Sequence, residues 1–276
     1  MTRTRIAYMP LVSYPDAVAD TAIQAALGLA RAMGLSVQAT AFAVDLPRAS
    51  SGLGDYLVNV SGVIQAAEER SRSECDRLRH LVEAAGAEAR FSTRTVSLGM
   101  VPQTASREAR YFDLTLLPWS ADAGEIRDMA QEIAFESGRP AILVPATEIP
   151  AQVDHIAIAW DGSRVAARAL GDGLALLATG GQVSVVTVEE DKTLDGGDIG
   201  KRLASWLEQR GYRAEAITVP LGRHGISDVL QDTARTRGAQ LLAMGGFGHS
   251  RIRDFILGGA TRGVLAKVDL PVLLSH

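Results

Sequence analysis

Apolar residues along this chain fall into short continuous runs. In the second half, "IAIAW", "VSVVTV", "AQLLAM" and "PVLLS" are of strand length and apolar on both faces, as strands buried on both sides would be. Between them lie longer alanine-rich segments of helical periodicity, such as "RVAARALGDGLALLA". Strands that alternate with helices predict right-handed βαβ units and a parallel sheet with helices on both faces, an α/β fold.

The plan occurs twice. "RIAYMPLVSYPDAVADTAIQAALGLARAMGLSVQATAFAV" and "HIAIAWDGSRVAARALGDGLALLATGGQVSVVTVEE" each read as strand, polar turn, amphipathic helix, glycine, strand. "SLGMVPQTASREARYFDLTLLPW" aligns with "PLGRHGISDVLQDTARTRGAQLLAMGG", and "RPAILVPA" with "LPVLLSH". The separation between copies is 150 at Ile6 and Ile156, but 123 at Leu98-Gly99 and Leu221-Gly222. The first copy therefore carries an insertion, placed in Asp45 to Gln65, which leads into a longer helix, "NVSGVIQAAEERSRSECDRLRHLVEAAGA". The boundary between copies falls in Pro145 to Asp154, which holds two prolines.

Composition narrows the function. Of 276 residues, 47% are hydrophobic and 22% charged, with net charge −4, so neither nucleic acid nor an anionic membrane surface is an expected partner. No run reaches the roughly 18 apolar residues of a membrane span. "MTRTRIAYMPLVSYPD" reads as a first strand and not as a leader, and a cytoplasmic location is expected. Cys75 is the one cysteine, which precludes an intrachain disulfide; it reads as a small helix residue and not as a reactive thiol.

The unusual stretch is "MGGFGHSRIRDFILGG", Met244 to Gly259. It begins at the carboxyl end of "AQLLAM", where ligands of open parallel sheets bind. Its glycines let a ligand approach the backbone, and Gly258 and Gly259 precede a last helix whose free N–H groups suit phosphate. Gly245, Gly248 and Gly258 form G-x-x-G, nine residues, then G. That spacing resembles the nucleotide-binding motif of the universal stress protein family. Neither a Walker loop nor a dinucleotide fingerprint is present.

The resemblance covers both halves and implies the tandem form of that family. It implies two Rossmann-like domains of the adenine nucleotide alpha-hydrolase-like kind, 1–148 and 152–276, each a five-stranded parallel sheet flanked by helices. It also implies that they pack as an intrachain pseudo-dimer through "AILVPA" and "PVLLSH", about a pseudo-twofold axis. An adenine nucleotide is implied as ligand: ATP foremost, ADP or AMP otherwise, with or without Mg²⁺. Residue by residue, Ala159 matches a small or proline position, and Asp161 the acid that meets base and ribose. Val188 matches the apolar residue beside the adenine, and Met244 and Gly245 those that cover it. Gly248, His249, Ser250, Gly258, Gly259 and Ala260 match the phosphate loop. The family motif usually ends Gly-Ser or Gly-Thr; here Gly259 stands in the hydroxyl's place, and Thr261 is the nearest hydroxyl that could substitute for it or cap the helix. Asp161 is also a residue type that caps helices, and "EEDKTLDGGD", Glu189 to Asp198, reads as a solvated loop and not as a metal loop.

The first copy lacks this machinery. Pro118 and Trp119 stand where Gly245 and Gly246 stand, and Leu11 where Asp161 stands, so this half is expected to be a degenerate, structural copy. The leading expectation is a stress-response regulatory protein that binds nucleotide without turnover. The alternatives are a weak ATP hydrolase or phosphotransfer enzyme using Asp172, Asp254 or His249, and a nucleotide-free interaction scaffold. The longer first-copy helix, partly apolar, suggests a homodimer of tandem chains.

Overall fold

The structure, a computed structural model, describes residues 5–16, 18–46, 60–97, 99–120, 124–189, 198–246 and 259–276. In the first half the order is β1 (Ile6–Val12), α1 (Asp20–Ala32), β2 (Ser36–Asp45), α2 (Val60–Glu83), β3 (Ala89–Ser97), α3 (Val101–Ala109), β4 (Leu114–Trp119), α4 (Gly124–Glu136) and β5 (Ala141–Pro145). The second half repeats it: β6 (His155–Ala159), α5 (Arg164–Leu174), β7 (Gln182–Glu189), α6 (Ile199–Gln209), β8 (Arg213–Pro220), α7 (Ile226–Thr236), β9 (Leu241–Gly245), α8 (Gly259–Ala266) and β10 (Val272–Ser275). Pro145 and His155 bracket the expected boundary.

The strands lie in the order β3-β2-β1-β4-β5-β10-β9-β6-β7-β8. Each half is a five-stranded parallel sheet, and the two meet at their last strands, β5 and β10, which pair antiparallel. The central pair is Ile142 with Leu273, and these two residues are equivalent, since Ile142 pairs with Leu116 as Leu273 pairs with Ala243. The pseudo-twofold axis thus passes through one residue pair, the isologous geometry of a symmetric interface. The sheets do not stand apart as two units. Hydrogen bonding across β5 and β10 makes them one ten-stranded sheet, which removes two apolar edges that would otherwise invite aggregation. Side chains add to the junction, with the rings of Phe135 and His276 edge to face at 5.4 Å.

Backbone partners fix which residues are equivalent. Ser36 N–H donates to Arg5 O and Gln182 N–H to Asp154 O; Asp113 N–H donates to Ile6 O and Gln240 N–H to His155 O. Ala7 therefore stands where Ile156 stands, so the first-strand separation is 149 and the expected 150 is corrected by one. Both runs are apolar on both faces, so their sequence pattern carries no phase, whereas a one-residue slip in the sheet exchanges its faces. In consequence Val12, not Leu11, is the counterpart of Asp161, and Leu11 is that of Trp160.

The insertion's helix is as expected. The 24-residue α2 buries Ser71, Cys75, Leu78 and Val82 in a helical stripe that packs on β2 and β3, while Val63 stays exposed. Burial pushes the Cys75 thiol above its ordinary pKa, which keeps it protonated and unreactive. Among the described residues no helix is long and apolar enough to cross a membrane.

Candidate functional site

In the second half β6 leads by way of α5 to β7 on one side, whereas β9 returns to pair with β6 on the other. The point between β6 and β9 is thus a topological switch, where the outgoing chains diverge and leave a crevice beyond the carboxyl ends. Of the expected site residues that the structure describes, five stand at these strand ends. Ala159 ends β6, Asp161 follows it, Val188 lies near the end of β7, and Met244 and Gly245 end β9. Gly259, Ala260 and Thr261 form the first turn of α8. Gly248, His249, Ser250 and Gly258 lie outside the described residues, as does Asp254.

The turn after β6 is built by its own sequence. Gly162 has φ +75°, a left-handed conformation that favours glycine. Ser163 N–H donates to Asp161 Oδ1 at 2.9 Å, and Ser163 in turn caps α5, its Oγ accepting from Ala166 N–H at 3.2 Å. The cap is therefore Ser163. Asp161 braces the turn, and its residue is exposed beyond the strand end.

Gly245 has a structural reason as well. A Cβ there would lie 2.6 Å from Val165 Cγ2 and 2.8 Å from Ala166 N, so the first turn of α5 rests on its backbone. Gly246 continues the sheet: its N–H donates to Ser275 O at 2.8 Å. Met244 is buried, and so is Thr261, on one helix stripe with Val264 and Leu265. Gly259 is exposed, and among the described residues a Cβ there would meet nothing within 4 Å.

Two carboxylates weighed from sequence have other work. Asp172 accepts from Arg168 Nε at 2.8 Å and from Ser275 Oγ at 2.9 Å, which ties α5 to β10. Asp198 caps α6, its Oδ1 accepting from Lys201 N–H at 3.2 Å. Residues 190–197 of the same loop lie outside the described residues.

The first half differs at the equivalent places. Where the second has Ala159, Asp161, Val188, Gly245 and Gly246, the first has Pro10, Val12, Phe42, Pro118 and Trp119. Val12 is 1% exposed, Phe42 0% and Trp119 5%. β1 and β2 run on to Val12 and Asp45, with Val12 and Phe42 buried. Phe42 carries no signal in the sequence, because its counterpart is visible only through the pairing of β2 with β1.

The sequence model of the universal stress protein family matches residues 152–276. No curated protein matches the sequence. A universal stress protein from Archaeoglobus fulgidus DSM 4304 superposes with TM-score 0.70 at 16% identity, over 97% of this chain and 95% of that one. A protein from Pseudomonas aeruginosa UCBPP-PA14, provisionally assigned to the same family, gives 0.55 at 15% identity, over 97% and 92%. A universal stress protein solved in complex with cAMP is 19% identical over 45% of this chain and 97% of that one, with TM-score 0.33. At these identities the first two establish the fold, through both halves.

Proposed function

Residues 152–276 being a domain of the universal stress protein family, we propose that this half binds an adenine nucleotide, ATP foremost, across the ends of β6, β7 and β9. The chain then acts as a nucleotide-responsive stress protein, without turnover. The observation that carries this reading is the contrast at five equivalent positions. The second half has Ala159, the exposed Asp161, Val188, Gly245 and Gly246 there, where the first has Pro10, Pro118 and the buried Val12, Phe42 and Trp119.

In this reading Asp161 meets the ribose and base, and Val188, with the end of β9 at Met244 and Gly245, lies against the adenine. The N–H groups of Gly259 and Ala260, at the positive end of α8, take phosphate together with Gly248, His249, Ser250 and Gly258. Residues 1–148 form a degenerate copy whose role is to present β5 to β10, the surface a one-domain protein would need from a second subunit.

The test is direct. Mass spectrometry of whatever leaves the pure protein on acid denaturation should find an adenine nucleotide, and calorimetric titration of the stripped protein should recover one site per chain. A protein that neither carries nor binds any adenine nucleotide would exclude this reading and favour a ligand-free scaffold. Product release from ATP well above background in a single-turnover incubation would instead make the protein a catalyst.

A further inference from the structure

A groove of about 700 Å³ opens in the first half between β2, β3 and the carboxyl end of α3. It exists because the halves differ at equivalent positions. In the second half His155 Nε2 lies 2.8 Å from Ser184 Oγ, which donates to Glu215 Oε1 at 2.8 Å, so three side chains close on one another. Their first-half equivalents are Ile6, Gln38 and Arg90, which make no such chain. Ile6 is 44% exposed, and α3 has 9 residues against 11 in α7, so less covers the sheet.

Several of the lining residues are tied by polar contacts. Thr40 Oγ1 and Ser92 Oγ are 3.1 Å apart, Gln38 Nε2 donates to Ser92 Oγ at 3.3 Å, and Glu108 Oε2 accepts from Oη of the buried Tyr8 at 2.8 Å. Burial and the Glu108 carboxylate push the Tyr8 hydroxyl far above its ordinary range, so it stays a donor. Glu108 also pairs with Arg94.

Other groups of the groove have unused capacity. Arg90 makes no hydrogen bond or ion pair among the described residues, which leaves five N–H donors. Glu88 accepts from Ser36 Oγ at 2.7 Å through Oε2, with Oε1 unengaged. Tyr111, at the rim, is 87% exposed. Glu88, Arg90 and Glu108 line the groove and Arg94 pairs with Glu108, so charges of both signs stand together there and neither sign dominates.

We propose that this groove is a second ligand site, for a small neutral polyhydroxylated molecule of saccharide type. A hydroxyl both donates and accepts, so vicinal hydroxyls can engage the Arg90 fork and the Glu88 carboxylate at once. The Tyr111 ring offers a broad apolar face to the C–H side of a sugar ring, with a polar tip beside it. The volume lies within the range of about 300–1,000 Å³ usual for small-molecule sites. This site is independent of the nucleotide reading, since it lies on the other half of the chain.

The experiment uses the full chain. Glucose, galactose, mannose, maltose and trehalose are titrated separately, read by saturation-transfer NMR and calorimetry, with inorganic phosphate and citrate as anionic probes. At least one saccharide should saturate with a Kd on the order of millimolar or tighter. Arg90→Ala and Tyr111→Ala, both surface changes expected to leave the melting temperature in place, should each weaken it about tenfold. Trp206→Ala, on α6 of the other half, should not. Absence of saturation by every saccharide overturns the proposal. So does saccharide binding that neither Arg90→Ala nor Tyr111→Ala changes, and so does Arg90-dependent binding of phosphate or citrate alone.

Discussion

Gly245 lies against Val165: a Cβ on the glycine would come within 2.6 Å of Val165 Cγ2 and 2.7 Å of its carbonyl carbon. The strand end and the first turn of α5 are thus in backbone contact, and Ser163, which caps that turn, braces Asp161. Gly245→Ala must push α5 outward. Overpacking of this kind costs about 1–3 kcal/mol. Equilibrium denaturation should show that loss, and nucleotide affinity should fall with it, because Asp161 moves with the turn. An unchanged midpoint would mean that α5 yields without cost.

Gly246 separates space from packing. Among the described residues a Cβ there meets Ser275 O alone, at an ordinary 3.7 Å, so the start of a side chain is admitted. Gly246→Trp copies Trp119 of the first half to the end of β9. Adenine nucleotide affinity should fall at least about tenfold, while the melting temperature stays close to that of the native protein. Full retention of binding would place the nucleotide away from the end of β9.

Gly259 tests the phosphate end. It is exposed in the first turn of α8, a Cβ there meets nothing within 4 Å among the described residues, and Ser is also the better helix residue. Gly259→Ser should tighten ATP by about tenfold to a hundredfold, as a hydrogen bond to a charged group does, and leave AMP nearly unchanged. Thr261 is 2% exposed on the core-facing stripe of α8. Thr261→Ala should therefore lower stability without altering the ratio of ATP to AMP affinity. A selective loss of ATP instead would make Thr261 the phosphate hydroxyl.

His155 gives the protein a pH dependence. Burial lowers its pKa below the ordinary value, only partly opposed by Glu215, Asp154 and its bond to the Gly238 carbonyl, and reinforced by Arg213. The unfolded chain, with His near 6.5, then binds the proton more readily than the folded one. This contribution to stability is present above about pH 6.5 and is lost as the pH falls below it. Denaturation midpoints measured from pH 8 to pH 5 should decline in that window, and His155→Gln should flatten the decline. A parallel decline in the variant would assign the loss to other groups.

Much of this was legible in the sequence because it is written in local terms. Runs apolar on both faces, alanine-rich helical spacing and paired Leu-Gly turns recur in order, so the repeated α/β plan needed no coordinates. The glycine spacing from Gly245 to Gly258 and the resemblance it carries were equally local. What the sequence by itself could not hold was phase between strands. β1 and β6 are apolar on both faces, so nothing in their pattern distinguishes a separation of 149 from one of 150; hydrogen bonds to β2, β4, β7 and β9 do. Only that register sets the buried Val12 against the exposed Asp161 and the buried Phe42 against Val188, and with them the contrast between the two halves. The merging of two sheets into one is of the same kind. It depends on the Ile142–Leu273 pair, whose partners are 131 residues apart, and a contact at that distance is decided by packing, not by neighbours in the chain.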